Sequence, residues 1–271
     1  MPAVFVHGNP ETIAIWNELV PRLSRTDIVR LSPPGFGAPV PAGFTAKADE
    51  YREWLARELQ TIGEPIDLVG HDWGGLHVIR IAMERPELVR SWASDAAGGF
   101  DPDYVWHDLA QVWQTPDAGE QAIAQRLSMD VDARAKRLMS LGVSKSIAEK
   151  IAPGFDETMG RCVLALYRSA AQPALVNWGK NLHAASLKPG LVIVAEKDPY
   201  VGGESLARRS AARAMQKSQF FRALVTGGCA SIQSVPRRFS KSFGPDLPSY
   251  RCEELSCQSE RTKRSRRARG A

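Results

Sequence analysis

Short apolar runs alternate with stretches of helical spacing along the first hundred residues. Val4-Phe5-Val6 is a β-branched and aromatic run that closes on His7-Gly8-Asn9-Pro10, and residues 13–23 then place Ile15, Leu19 and Leu23 on one helical face. Residues 27–31 read as a second strand, stopped by the loop Pro33-Pro34-Gly35-Phe36-Gly37. Residues 48–62 read as an amphipathic helix through Tyr51, Trp54, Leu55 and Leu59, and 66–69 as an apolar strand ending at Gly70. Residues 76–83 begin a further helix that ends before Pro86, and 88–93 form another strand. Unbroken apolar strands separated by helices predict a mostly parallel sheet covered on both faces, an α/β fold. From 100 to about 183 the spacing is helical only, broken at Pro116, Pro153 and Pro173, as expected of an inserted helical lid. Residues 191–195 resume the strand pattern and 205–215 read as a helix; beyond them the periodicity is lost. The expected organisation is a first core part at 1–99, a lid at 100–184, a second core part at 185–213 and an irregular basic tail at 214–271.

Composition sharpens that last boundary. The 271 residues can bury a large core, and 44% hydrophobic with 24% charged residues excludes a disordered chain. No apolar run nears the roughly 18 residues a spanning helix needs, and Val4 follows Met1 without a basic flank or h-region. The expectation is a cytoplasmic protein without a membrane partner. The net charge of +5 is unevenly spread: 214–271 holds 12 Lys/Arg against 4 Asp/Glu, a net of +8, which leaves 1–213 at −3. All seven Trp lie between Trp16 and Trp178, while Cys229, Cys252 and Cys257 lie beyond 214. No C-x-x-C pair is present, so the cysteines read as reduced thiols and no metal is expected. Residues 258–271 have the composition of a disordered segment, and without interleaved aromatics they do not read as a nucleic-acid arm.

The chemistry concentrates at Gly70-His71-Asp72-Trp73-Gly74-Gly75, between an apolar strand and a helix. A tight strand-to-helix turn among small residues lifts one side chain above a sheet and faces it with helix amides, and here that side chain is a carboxylate. Carboxylates attack saturated carbon to give an ester that water then cleaves. With His7-Gly8-Asn9-Pro10-Glu11, Pro34-Gly35-Phe36-Gly37 and Asp198 in order, residues 3–213 resemble the α/β-hydrolase fold, in its aspartate-nucleophile branch of epoxide hydrolases and haloalkane dehalogenases. The resemblance implies Asp72 as nucleophile, an oxyanion hole from the backbone N–H groups of Asn9 and Trp73, and two missing strands ahead of Val4. It implies no cofactor and a small apolar substrate; the oligomeric state stays open.

Within the branch, Asn9 and the Trp73 indole resemble halide-binding donors. Tyr167-Arg168 resembles the lid Tyr-Arg of epoxide hydrolases, and Val105-Trp106-His107 the segment that carries a His in His–Tyr variants. Epoxide hydrolysis is the preferred expectation and haloalkane dehalogenation the alternative. Asp198 is the preferred acid to orient a base, with Asp95 second. His7 and His71 read as loop-packing residues, and His77 and His183 as surface or satisfied helix histidines.

The family's base is a His after the last strand, yet His7, His71, His77, His107 and His183 all precede Asp198. Residues 223–233, ALVTGGCASIQ, admit codons that read GPGHWWMCQHP in another frame, which resembles the family's histidine loop. The expectation is a frame shift between about 205 and 222, a sheet edge left without its last strand, and a third reading: a pseudo-enzyme that binds ligand without turnover.

Overall fold

A computed structural model describes residues 1–195, 198–214 and 220–223. Six strands form one sheet: β1 (Ala3–Val6), β2 (Ile28–Leu31), β3 (Ile66–Gly70), β4 (Val89–Ser94), β5 (Gly190–Ala195) and β6 (Phe220–Ala223). Their order is β2-β1-β3-β4-β5-β6, and every neighbouring pair is parallel. The chain steps outward from β1 to β2, then returns to lay β3 on the other side of β1. That reversal opens a crevice at the carboxyl ends of β1 and β3, where α/β sheets bind ligands. The loops carrying Asn9 and Asp72 both leave the sheet there.

The pleat sorts the strands' side chains between two cores. Val4, Val6, Leu68, Trp92, Val192 and Val194 face one side, against α1 (Ala48–Ile62), α2 (Trp73–Glu84) and α9 (Gly203–Ala214). Ala3, Phe5, Val69, Ala93, Leu191 and Ile193 face the other. Tyr51, Leu55 and Leu59 fully bury one stripe of α1, which Gly63 ends in the left-handed region at φ 77°.

Between β4 and β5 lie α3 (Asp108–Gln114), α4 (Ala118–Ser128), α5 (Val131–Ser140), α6 (Lys145–Ile151), α7 (Glu157–Ser169) and α8 (Ala174–Gly179). This helical segment does more than roof the sheet. Leu138 and Ile147 join Ile15, Trp16 and Phe5 in the second core, so α5 and α6 help to close a sheet face.

Two expectations are corrected. Residues 13–23 form two 3-10 turns, Ile13–Asn17 and Val20–Arg22, rather than one α-helix. Pro21 cannot donate the backbone bond a continuing helix needs. The loss of periodicity past 215 conceals β6, whose backbone pairs Val192 with Phe220 and Ala195 with Ala223, so β5 is not left as an open edge. The basic tail from 224 onward and the alternative reading of 224–233 lie outside the described residues. Among the described residues no helix is long and apolar enough to cross a membrane.

Candidate active site

Asp72 sits between β3 and α2 at φ 53° and ψ −125°, a backbone strain that places its side chain at the crevice rather than along the strand. Two glycines make room for the turn. A Cβ on Gly74 would lie 2.2 Å from the Val6 carbonyl oxygen, and one on Gly8 would lie 2.1 Å from Asp72 Oδ1. The Asn9 N–H donates to Asp72 Oδ1 at 2.8 Å, and the Asp72 N–H donates to Asp95 Oδ1 at 3.0 Å. Burial pushes the Asp72 carboxyl up to about 7, and the nearby Glu11 charge adds to the rise; His71 and the backbone N–H groups of Asn9 and Trp73 pull it back.

Next to Asp72 in the chain and in the cavity lining is a buried trio whose members sequence reasoning kept apart, His71 as a packing residue, Asp95 as the second candidate acid and Glu11 as part of a motif. His71 Nδ1 binds Asp95 Oδ2, and His71 Nε2 meets Glu11 Oε1 at 3.1 Å. Burial disfavours the imidazolium, but the two carboxylates outweigh it and hold His71 well above its usual range. Glu11 also accepts the Gly8 N–H at 3.3 Å, which ties the β1 loop to the trio. Glu11 was only the last letter of the motif His7-Gly8-Asn9-Pro10-Glu11, and the signal pointing to it was the one charged carboxylate of that loop.

Asp72, Asp198, Asp95, Tyr167, His107 and Asn9 line one cavity of about 100 Å³. Asn9 is 8% exposed, and its side-chain amide is buried with the Tyr167 hydroxyl as its one neighbouring partner among the described residues. Tyr167 is 3% exposed and belongs to a ring cluster with Trp73, Trp106 and Trp113 at centroid distances of 5.3, 5.2 and 4.8 Å. Burial, then the Asp72 charge, raises the Tyr167 phenol well above its ordinary value. Trp73 does not line the cavity; its ring stacks on Trp106 at 5.6 Å. His107 caps α3, its Nδ1 accepting the Ala110 N–H at 3.1 Å, and burial lowers it to about 4. Asp198 accepts the Tyr200 N–H at 2.7 Å, and burial raises its carboxyl.

The other histidines divide. His7 is buried and bound to the Gly8 carbonyl and Ser32. His183 is exposed. His77 corrects the expectation of a surface or satisfied residue: it is 2% exposed between Tyr51 and Trp73, with Nδ1 unpartnered among the described residues and its pKa lowered to about 3 by burial. Sequence reasoning also missed Tyr104, whose hydroxyl donates to the Tyr200 carbonyl at 2.7 Å and whose phenol is raised by burial and by Asp72 and Asp198.

Comparison with known proteins agrees with this architecture. Residues 3–236 match the family described as Alpha/beta hydrolase family, past the composition break near 214. "Probable oxidoreductase EphD" of Mycobacterium tuberculosis is 33% identical over 138 residues, 46% of this chain and only 23% of that protein's length. "(E)-2-((N-methylformamido)methylene)succinate hydrolase" of Acinetobacter baylyi is 22% identical over 210 residues, 73% of each chain. Among solved structures, haloalkane dehalogenase DbeA of Bradyrhizobium elkani aligns with a TM-score of 0.63 at 20% identity over 90% of this chain and 87% of its own. A probable hydrolytic enzyme of Pseudomonas aeruginosa gives 0.63 at 14% identity, over 91% and 85%. At these identities the structural likeness carries the fold alone.

Proposed function

The chain belongs to the alpha/beta hydrolase family, and we propose that Asp72 is its nucleophile toward saturated carbon, with an epoxide as substrate. The observation that carries this reading is the carboxylate at a strained turn, one oxygen held by the Asn9 N–H and the residue lining a cavity. In the proposed step Asp72 Oδ2 attacks an epoxide carbon, the carbon–oxygen bond breaks, and the leaving oxygen takes the Tyr167 proton. An ester joins Asp72 to the opened substrate. The Asn9 N–H, from the loop after β1, and the Trp73 N–H, at the positive end of α2, steady the Asp72 carboxylate throughout. The Asp72 charge that makes Tyr167 a poor acid disappears as the ester forms, so proton donation becomes easier as the alkoxide develops. His107, with Nδ1 occupied by a backbone N–H, presents Nε2–H as a second donor to the lid side of the cavity.

Release of that ester needs a base, and the histidines do not supply one. Both nitrogens of His71 are engaged by carboxylates, and the acceptor nitrogen of His107 is spent on its helix cap. His7, His77 and His183 do not line the cavity. The proposed outcome is therefore a ligand-trapping enzyme that completes the first half-reaction and stalls. Asp198 is the acid left waiting for the missing base, while Asp95 is committed to His71 and the Asp72 N–H. We attribute the missing base to a shifted reading frame; nucleotides between the codons for Gly190 and Pro236 that forbid the GPGHWWMCQHP reading contradict this.

The haloalkane reading has one observation in its favour, the buried Asn9 amide at the cavity, which offers a halide its N–H. Against it, the Trp73 indole is engaged with the Tyr167 hydroxyl and stacked on Trp106. Incubation with a terminal epoxide and, separately, a chloroalkane of the same length, followed by intact mass, tests the proposal. The expected result is one epoxide equivalent per chain and then no further consumption. Repeated turnover overturns the stalled reading, and a faster adduct from the chloroalkane overturns the choice of substrate.

A further inference from the structure

The cavity that holds Asp72 also has a basic wall that the proposed reaction leaves unused. Helices α4 and α5 place Arg126 and Arg137 in its lining, and neither forms an ion pair with a carboxylate among the described residues. Their neighbour Arg134 has a structural role: its guanidinium donates to the carbonyls of Met129, Phe155 and Leu127, pinning the α4–α5 turn. Arg126 and Arg137 have no such employment.

The Arg126 guanidinium lies over the Phe155 ring at 4.4 Å from its centroid, which fixes the plane while leaving the edges for donation, and its Nε is buried without a partner. Burial and the charges of Arg137 and Arg134 lower its pKa to about 10. The charges of Arg134 and Arg137 bear on Arg126, and none of the three forms an ion pair with a carboxylate among the described residues, an arrangement an anion relieves.

The other charged carboxylate residues of the lining are Glu11, Asp72, Asp95 and Asp198, none of them paired with Arg126 or Arg137, and Leu138, Leu141 and Val143 add apolar lining. Such a cavity is polarised. An anionic group is repelled from the carboxylates and drawn to the arginines, and Arg137 is exposed, so an anion meets it from water. A substrate with an anion at one end and reactive carbon at the other enters in a single orientation, carbon toward Asp72.

We propose that the substrate is an organic acid, its carboxylate held between Arg126 and Arg137 while its apolar body points to Asp72. This rests on the reading of the cavity as the reaction site, but binding can be measured without reaction. Pentanoate and pentanamide, equal in length and inert toward Asp72, are titrated into the whole protein and read by tryptophan fluorescence, since Trp113 lines the cavity. The expected result is pentanoate binding about tenfold more tightly at low salt, the strength of a charge-assisted hydrogen bond, with the preference shrinking as ionic strength rises. Arg126→Gln with Arg137→Gln abolishes the preference; Arg137→Lys, on an exposed side chain that leaves the fold intact, keeps most of it. Equal affinities, no binding of pentanoate, or a preference that survives the double substitution overturns the proposal. Asp72→Asn separates the two ideas: it removes any ester and leaves the pentanoate preference in place.

Discussion

Asp72 combines two demands that oppose each other. A nucleophile must be ionised, yet burial and Glu11 hold this carboxyl up to about 7. Below that value it is protonated and silent; above it the anion is available. Adduct formation therefore rises with pH, is half-maximal near 7 and levels off above it, and a rate independent of pH from 5 to 9 contradicts this. Because Glu11 is a like charge, Glu11→Gln moves the half-point down by about one pH unit, the effect of one close carboxylate. The same measurement on the variant checks it, an unmoved half-point being the contrary result. Asp72 was legible in the sequence because its glycine neighbours announce a tight turn. Glu11 was not, because its partner His71 lies 60 residues away and only the pairing of β1 with β3 joins them. Position alone put Asp198 ahead of Asp95 as the orienting acid; which groups each of them binds is a fact of tertiary packing that position does not show.

At the level of elements, most strands and helices with a clear period were readable to within a residue or two, while the helix read from 76 begins at Trp73. The helix at 48–62 coincides with α1, and 66–69 and 191–195 fall within β3 and β5. The segment 13–23 misled because apolar spacing alone cannot distinguish an α-helix from 3-10 turns once Pro21 interrupts the backbone bonds. β6 was hidden because a four-residue edge strand, FFRA, has too few positions to show alternation. The turn before α2 is the element most sensitive to substitution. Gly74→Ala puts a methyl group against the Val6 carbonyl, a backbone atom that cannot move aside without displacing β1. It costs about 1–3 kcal/mol and lowers the thermal midpoint by several degrees, whereas an unchanged midpoint shows that the turn relaxes.

Across the whole molecule, the sheet and the helices of 108–179 share one core: Trp106, Trp113 and Tyr167 belong to the same buried cluster as Val4, Leu68 and Trp92. The inserted position of those helices was legible from their uninterrupted helical spacing. Their role in closing the second sheet face was not, since that depends on where Leu138 and Ile147 land. Shared packing predicts cooperative loss of structure: tryptophan fluorescence and far-ultraviolet circular dichroism follow one urea transition, and two separated transitions mean the helical part unfolds by itself. The most direct trial of the nucleophile is peptide mapping by tandem mass spectrometry after exposure to an epoxide. The added mass falls on Asp72 and is absent from Asp72→Asn; the same mass on Glu11, Asp198 or Cys162, or its persistence in the variant, contradicts the assignment.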